Sequence, residues 1–312
     1  MMAMTSAAES RGRVAFQGEH GAFSEAAAIQ LLGEGITTVP RATFDSAFRA
    51  IAEGAADALL APVENTLAGS VMRVYDLLLE SNLNMVAETI LPIEHHVIGV
   101  PGATLEGLRS VASHPMALAQ CEKFFLKHPG LKRVPAEDTA GSVRDALAKG
   151  DKTAAGIAGR YAATRYGGAI LAESIQDNAE NFTRFVLLIP ASPDGSFELF
   201  TPSKQPRVAE LMQALSERRS QRDAEGLKMS LAFQLAHRPG ALLAALEPFS
   251  RHGVNLQKIE SRPIHGSPWE YQFFLDVQTT SLPSLQAAIS EVQSSTSFLH
   301  ILGLYPPAAE SR

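Results

Sequence analysis

Cysteine is nearly absent from this chain of 312 residues, which contains only Cys121. A single cysteine can form neither an internal disulfide nor a multi-thiolate metal site, and the lack of disulfides is typical of proteins in reducing compartments. This composition therefore predicts a cytoplasmic protein.

Long apolar runs and blocks of positive charge are also lacking. No apolar run reaches the roughly 18 residues needed to cross a bilayer. Residues 1–12 lack the apolar core of a secretory signal, so we interpret them as a loose tail. The formal net charge of -6, with no basic block, argues against nucleic-acid binding. We expect neither a membrane nor a nucleic acid as a partner.

Metal and nucleotide motifs are incomplete. His95 and His96 are adjacent, and neighbouring side chains of a strand face opposite ways, so a shared metal is not expected. The spacing from Gly18 to Gly21 is too short for a dinucleotide fingerprint, and no Walker loop is complete. The sequence therefore predicts no metal and no cofactor.

What the chain does contain is enough apolar sequence for a sizeable core, since 46% of its residues are hydrophobic and 19% are charged. Residues 13–190 alternate strand and helix patterns, which is typical of an α/β fold with largely parallel sheets. There is room for two small sheets, with the chain crossing near Pro92 and again near Asn181. We therefore predict two lobes, about 13–92 plus 181–190 and 93–180, with a cleft between them.

The pattern changes after this region. Residues 191–227 contain turn-forming stretches around one apolar helix at 208–222, and we interpret them as a linker. From residue 228 to 308 the periodicity follows the order βαββαβ, which predicts a ferredoxin-like domain.

Polar residues follow several predicted strands of the α/β region. Glu64-Asn65-Thr66, Ser113-His114 and Thr139 stand at such positions, and in open α/β sheets the ligand site lies beyond the carboxyl ends of the strands. Helix N-termini there attract anions. A cleft of hydroxyls and helix N-termini suits a small dicarboxylate, and no catalytic nucleophile signature is evident.

Several polar residues of this region could have a purely structural role instead. Ser113 and Thr139 could act only as helix caps, and Thr183 is also a typical strand residue. Arg184 could form a surface pair with Glu180, which would contribute only about 0–1 kcal/mol.

Four motifs occur in order along the chain and together carry a family resemblance: Pro62-Val63-Glu64-Asn65-Thr66, Ser113-His114-Pro115, Asp138-Thr139-Ala140 and Thr183-Arg184-Phe185. This series resembles the prephenate dehydratase family over roughly residues 13–190. The resemblance implies a two-lobed catalytic domain like the periplasmic binding proteins of type II, and conversion of prephenate to phenylpyruvate in phenylalanine biosynthesis without a cofactor.

The resemblance also implies roles for individual residues. Thr183 corresponds to the essential hydroxyl, Glu64 is a second acid candidate or hinge partner, Arg184 binds a carboxylate or braces the lobes, and Phe185 shapes the pocket. The residues expected to bind substrate are Asn65, Thr66, Ser113, His114, Gln120, Thr139 and Ala140.

The C-terminal region is similar to an ACT domain, the module that senses amino acids. The resemblance implies a site for L-phenylalanine that a second chain completes, and hence a homodimer or homotetramer; a dimerisation unit alone is the alternative. The residues that it assigns to this allosteric site are Gly240, Ala241, Leu242, Leu243, Asn255, Leu256, Glu260, Ser261, Arg262 and Pro263.

Two other functions stay open at this point. Arogenate dehydratases share these motifs, so arogenate is the alternative substrate. A two-lobed domain could also bind a carboxylate without catalysis, as a cytoplasmic regulator that responds to a carboxylate or an amino acid.

Overall fold

The computed structural model describes residues 11–191, 205–219, 226–264 and 267–308. Most of the predicted tail and residues 192–204 and 220–225 of the predicted linker lie outside these ranges. The elements follow one another in this order: β1 (Arg13–Gln17), α1 (Phe23–Leu32), β2 (Thr37–Arg41), α2 (Phe44–Ala52), β3 (Ala58–Asn65), β4 (Gly69–Ser70), α3 (Met72–Glu80), β5 (Leu83–Pro92), β6 (His96–Gly99), β7 (Ser110–Ser113), α4 (Pro115–Ala119), α5 (Glu122–Lys127), β8 (Lys132–Pro135), α6 (Thr139–Lys149), β9 (Ala154–Ala158), α7 (Arg160–Tyr166), β10 (Ala169–Ala172), β11 (Phe182–Pro190), α8 (Pro206–Arg219), β12 (Leu227–Gln234), α9 (Ala241–Arg251), β13 (Asn255–Ile264), β14 (Ser267–Thr279), α10 (Leu282–Ser295) and β15 (Phe298–Tyr305).

The strands form two sheets, which confirms the predicted α/β fold with two lobes. The sheets are mixed rather than largely parallel, because β11 runs antiparallel to β3 and β5, and β6 runs antiparallel to β9 and β10. The first lobe contains the neighbouring strands β5-β11-β3-β1-β2, and the second lobe is a five-stranded sheet in the order β10-β6-β9-β7-β8. The chain passes between the lobes after β5 and before β11. At these crossings the backbone N–H of Ile93 donates to the carbonyl of Asn181 at 2.7 Å, so the two connections are joined to each other.

Local sequence signals account for several element boundaries. Thr43 forms a capping box with Ser46 at the start of α2, as its position predicted. Strand β2 was not expected, because Pro40 interrupts its pattern; it lies at the edge of the sheet, where proline is tolerated. Two short helices, α4 and α5, follow β7.

Helix α8 is part of the first lobe rather than a free linker helix. Its apolar side packs on α1 and the sheet in one buried cluster, and Leu211 is fully buried there. Arg11 and Glu217 form an exposed ion pair across the same contact, with 2.9 Å between Nη1 and Oε2. The segment between the two domains is therefore anchored to the first lobe.

The C-terminal strands confirm the ferredoxin-like βαββαβ order. They are arranged as β13-β14-β12-β15, and β15 then pairs in parallel with β5, so this sheet continues into the first lobe. The junction pairs Gly303 with Met85. A Cβ atom at Gly303 would lie 2.2 Å from the carbonyl oxygen of Met85, so glycine is required for this close approach.

None of the helices within the described ranges has the length and apolar character needed to cross a membrane.

Candidate active site

A cleft of about 340 Å³ lies between the two lobes. Its volume is within the usual range for small-molecule sites. A larger cavity of about 610 Å³ lies beside α2 and α3, but it contains none of the four motifs. We assign the site to the smaller cleft because it gathers the motif residues. The cleft is lined by Gln17, Gly18, Ala22, Phe23, Ser24, Pro62, Ile93, His95, His114, Met116, Ala117, Gln120, Glu137, Asp138, Thr139, Thr183 and Phe185.

The hydroxyl of Thr183 has a defined hydrogen-bond polarity because of Asn65. The Asn65 Oδ1 atom accepts the backbone N–H groups of Leu67 at 3.0 Å and Ala68 at 2.8 Å. Its Nδ2 group therefore faces β11 and donates to Thr183 Oγ1 at 2.9 Å. Because Thr183 accepts this bond, the hydrogen of its own hydroxyl remains available to a ligand in the cleft.

Thr66 holds the backbone of the second crossing rather than facing the cleft. Its Oγ1 atom donates to the carbonyl of Glu180 at 2.8 Å and accepts the N–H of Phe182 at 2.9 Å. The side chain therefore fixes the segment that precedes Thr183.

A chain of polar side chains extends from Thr183 to the far side of the cleft. Asn65 Nδ2 also donates to Asn181 Oδ1 at 2.7 Å, and Asn181 Nδ2 donates to Gln120 Oε1 at 3.3 Å. Gln120 Oε1 lies 2.9 Å from His95 Nε2. Asn181 and His95 are almost fully buried. Burial lowers the pKa of His95, and the charge of His96 acts in the same direction, while the bond to Gln120 opposes the shift.

Sequence reasoning missed His95 and Asn181 as site residues. His95 was considered only as a metal ligand, and within the described residues no group of three or more potential ligands is close enough to hold a metal. Asn181 stands two residues before Thr183, at the predicted crossing between the lobes, and this position was the available signal.

The second lobe contributes His114 and Thr139 to the cleft, as expected, whereas Ser113 is placed elsewhere. Ser113 is fully buried and donates to the carbonyl of Ile157 at 2.7 Å, so the expectations that it binds substrate or caps a helix are wrong. His114 caps α4 instead, because its Nδ1 atom accepts the N–H of Met116 at 3.2 Å.

At the start of helix α6, one side chain caps the helix and the next one faces the cleft. Asp138 Oδ1 accepts the N–H of Gly141 at 2.6 Å and is the cap. This leaves the hydroxyl of Thr139 facing the cleft, while the Ala140 methyl is fully buried in the core of the lobe.

Two residues expected at the reacting centre are turned away from it. Arg184 is buried between the first lobe and the C-terminal domain, where it donates to Glu88 at 2.7 Å, Asp276 at 2.5 Å and the Tyr305 hydroxyl at 3.0 Å. Its neighbours in the motif, Thr183 and Phe185, face the cleft because successive strand residues point to opposite faces.

The side chain of Glu64 lies beside Arg184, on the side of the sheet that faces away from the cleft. Its carboxylate lies 3.6 Å from Arg184 Nη1 and 3.2 Å from Lys258 Nζ. The expectation that it acts as an acid in the cleft is therefore wrong, and its position agrees with the alternative of a structural partner.

The residues assigned to the allosteric site occupy two ends of the C-terminal domain. Gly240 precedes α9 in a left-handed conformation with φ of 78°, and Leu243 after it is 72% exposed. Asn255 pairs with Gln278, and Gln278 pairs with Lys228 near the start of β12. The loop that leads to Gly240 leaves from the other end of β12. The length of β12 separates these ends by roughly 20 Å at about 3.3 Å per residue.

Residues 260–263 of the predicted allosteric site belong to β13, which contacts the first lobe through alternate residues. Glu260 accepts a hydrogen bond from Ser70 at 2.7 Å, and Arg262 pairs with Asp76. Lys258, on the same face, donates to Ser70 at 2.7 Å. Ser261 and Pro263 alternate with these residues and are exposed.

Together these features define a two-lobed α/β protein with a polar cleft for a small ligand and a ferredoxin-like domain docked on one lobe. Residues 14–192 match the family described as prephenate dehydratase, and residues 229–292 match the ACT domain. The chain therefore belongs to the prephenate dehydratase family, whose activity is that of a dehydratase of the lyase class, and it carries a C-terminal ACT domain.

The chain is similar over most of its length to individual relatives and solved structures. An arogenate dehydratase/prephenate dehydratase 1 of Arabidopsis thaliana, chloroplastic, is 35% identical over 96% of this chain and 73% of its own length. The solved prephenate dehydratase of Arthrobacter aurescens in complex with L-Phe is 27% identical with a TM-score of 0.76, over 94% of this chain and 89% of that one. A solved structure described as GqqA, a novel type of quorum quenching acylase, is 31% identical with a TM-score of 0.79, over 95% of this chain and 98% of that one.

Proposed function

We propose that this protein catalyses the decarboxylating dehydration of prephenate to phenylpyruvate, with arogenate as the alternative substrate. The observation that carries the proposal is the Thr183 hydroxyl, which faces the cleft and is oriented as a donor by Asn65. The description of the matched family supports prephenate as the preferred substrate.

The reaction requires stabilisation of a departing oxygen. Carbon dioxide and hydroxide leave from opposite positions of the cyclohexadiene ring, and aromatisation supplies the driving force. Thr183 donates a hydrogen bond to the oxygen as negative charge develops on it, which lowers the barrier more than it strengthens substrate binding. Phe185 contributes an apolar wall beside the ring of the substrate.

Polar groups of the second lobe fit the carboxylates of the substrate. The Thr139 hydroxyl stands at the start of α6, where unpaired backbone N–H groups and the helix dipole favour negative charge. Gln120 Oε1 is engaged by His95 and Asn181, so its Nε2 group is the part left to donate to a ligand. The closing of the two lobes would bring these donors toward Thr183.

Acyl transfer is less well supported by the same geometry. A nucleophilic hydroxyl needs a neighbouring general base. The hydrogen-bond partner of Thr183 Oγ1 among the described residues is the amide of Asn65, which donates to it and cannot accept a proton from it.

We further propose that L-phenylalanine inhibits the enzyme at a site built from two chains. Gly240 and Asn255 lie at opposite ends of one ACT sheet, so a pocket that uses both needs a second copy. The exposure of Leu243 at 72% and of Leu256 at 37% supports such a contact. We therefore expect a homodimer or homotetramer, and sedimentation of a sensitive monomer would contradict this arrangement.

The single cysteine, Cys121, is fully buried, and we propose a cytoplasmic location on that basis. Fractionation of cells that contain the tagged chain tests the location.

The function itself is tested by incubating the purified chain separately with prephenate and with arogenate. We expect phenylpyruvate to form from prephenate at the higher kcat/KM. Faster formation of phenylalanine from arogenate would reverse the substrate preference, and binding without turnover of either compound would favour the non-catalytic regulator.

A further inference from the structure

The proposed reaction consumes a proton, and this inference rests on that proposed function. The C–O bond breaks with its electron pair on oxygen, so the departing hydroxide must gain a proton to leave as water. Thr183 stabilises the developing charge through a hydrogen bond, but an aliphatic hydroxyl is too weak an acid to lose its proton at neutral pH. A group that titrates near neutrality has to supply it.

His95 lines the same cleft and is only 2% exposed. Its Nε2 atom lies 2.9 Å from Gln120 Oε1, an oxygen that can only accept, so Nε2 carries a hydrogen. The other ring nitrogen, Nδ1, has no hydrogen-bond partner among the described residues. An unsatisfied buried polar atom is costly, so its presence on a side chain that lines a binding cleft points to a ligand or a proton at this position.

We propose that His95 is the catalytic acid that protonates the leaving hydroxide. Its Nδ1 atom takes up a proton from solvent as the dianionic substrate enters the cleft. The N–H bond then breaks while an O–H bond forms on the departing oxygen. The electron pair of the bond to the lost carboxylate completes the aromatic ring, carbon dioxide and water leave, and neutral His95 is protonated again in the next cycle.

The surroundings of His95 suit both protonation states. In the empty cleft burial favours the neutral ring, whereas the negative charges of the substrate favour the imidazolium. Gln120 Oε1 is already placed to accept from Nε2–H in both states. Phe23 packs on the ring in an edge-to-face arrangement, with 5.7 Å between the ring centroids.

The other titratable groups that face His95 fit this role less well. Asp138 is engaged as the cap of α6, where it accepts the N–H of Gly141, and Glu137 is exposed to solvent. His114 is partly exposed, with Nδ1 engaged by the backbone of Met116. The neighbouring His96 accepts the N–H of Ser174 through Nδ1 at 3.1 Å and does not line the cleft.

Two substitutions separate the functions of the two ring nitrogens. His95→Gln keeps an amide near the position of Nε2 and preserves the contact with Gln120, whereas His95→Asn keeps an amide near Nδ1. Neither amide can give up a proton near neutral pH, so kcat should fall about 10²–10⁴-fold in both variants with little change in KM. His96→Asn is the matched control, because His96 lies outside the cleft and the asparagine amide can keep the hydrogen bond that Nδ1 accepts from Ser174, so this variant should retain most of the activity.

The pH profile distinguishes an acid from a structural residue. Wild-type kcat should fall as pH rises from about 6 to about 9, because kcat reports the groups of the enzyme–substrate complex. This fall should disappear in His95→Gln and persist in His96→Asn. Circular dichroism and thermal unfolding establish that each variant is folded.

Several outcomes overturn the inference. A wild-type kcat that does not decrease over this pH range overturns the inference without the need for any variant. The inference is also overturned if His95→Asn or His95→Gln retains at least a tenth of the wild-type kcat. A wild-type chain that converts neither prephenate nor arogenate overturns the proposed function and, with it, this inference.

Discussion

The two faces of strand β11 have opposite chemistry, although adjacent residues of one motif form them. Thr183 and Phe185 face a cleft with a hydroxyl, amides and an uncharged imidazole. Arg184, between them, faces a buried group of charges at the domain junction. The comparison shows that a short motif can combine the reacting site with the attachment of a regulatory domain.

The two faces also differ in how their polar groups are satisfied. On the junction side, Arg184 and Lys228 balance Glu88 and Asp276, and Lys228 Nζ lies 2.9 Å from Glu88 Oε2. On the cleft side, Thr183 and His95 retain unused hydrogen-bonding capacity. The first arrangement provides rigidity and the second provides binding, so substitutions on the two faces should produce separable effects.

The largest effect is expected for Arg184→Met. Removal of this cation leaves the buried carboxylate of Asp276 without its ion-pair partner and leaves Glu88 with Lys228 alone. Breaking a buried pair in this way typically costs about 3–5 kcal/mol. Urea unfolding of the variant measures the loss. Arg73→Met is the matched control, because Arg73 and Asp45 form an exposed pair whose removal should cost about 1 kcal/mol or less. Equal losses in the two variants would contradict the assigned role of the junction.

Next in size is the effect of Thr183→Val on turnover. Valine keeps the β-branched shape but loses the donor, so kcat should fall about 10²–10³-fold while KM changes little. Thr183→Ser should recover part of the loss. Thr89→Val removes another buried threonine hydroxyl that lies outside the cleft and should have wild-type kcat. A Thr183→Val enzyme with normal turnover would exclude this hydroxyl from the reaction.

A smaller effect is expected when pH changes the contribution of the domain junction to stability. Burial opposes the ionisation of Asp276, but the charge of Arg184 and its hydrogen bonds outweigh burial and lower the pKa below 3.8. Because the unfolded chain binds the proton more readily, this contribution to stability is present at neutral pH and is lost as pH falls from about 4 toward the folded pKa. Stability measured between about pH 6 and 3 should therefore depend less on pH in Asp276→Asn than in the wild type.

The smallest change in stability is expected for Arg262→Ala, which removes a partly exposed pair with Asp76. The loss should be about 0–1 kcal/mol, and basal activity should remain. Inhibition by L-phenylalanine should weaken, because the effector acts only through contacts that differ between two states. Unchanged inhibition together with unchanged activity would remove β13 from the coupling between the domains.

Much of the architecture was predictable because its signals are local. Alternation of strand and helix patterns indicated the two lobes, and period-two strands such as β12 indicated the ferredoxin-like domain. Strand β2 was missed since Pro40 obscures its pattern, and its place at the sheet edge depends on tertiary structure. The packing of α8 on the first lobe was likewise invisible, because an apolar helical stripe does not identify its partner.

The candidate site was predictable in part for the same reason. Motif order identified Thr183 and Asn65, but it could not show that Arg184 points to Asp276, which lies 92 residues further along the chain. His95 was missed because its significance depends on Gln120 and Asn181, residues that are distant in sequence and meet only in the folded chain. Polar side chains that gain their role through such partners need coordinates to be recognised.

The close approach of Gly303 to Met85 has a consequence for the evolution and engineering of this protein. Because the two domains share one sheet, a catalytic fragment that ends before β12 would expose the edge of β5 and leave the carboxylate of Glu88 without Lys228. Exposed strand edges promote aggregation. The two family domains therefore cannot simply be exchanged for those of another protein. A foreign regulatory domain grafted onto this chain must reproduce the pairing of β15 with β5 as well as the effector pocket.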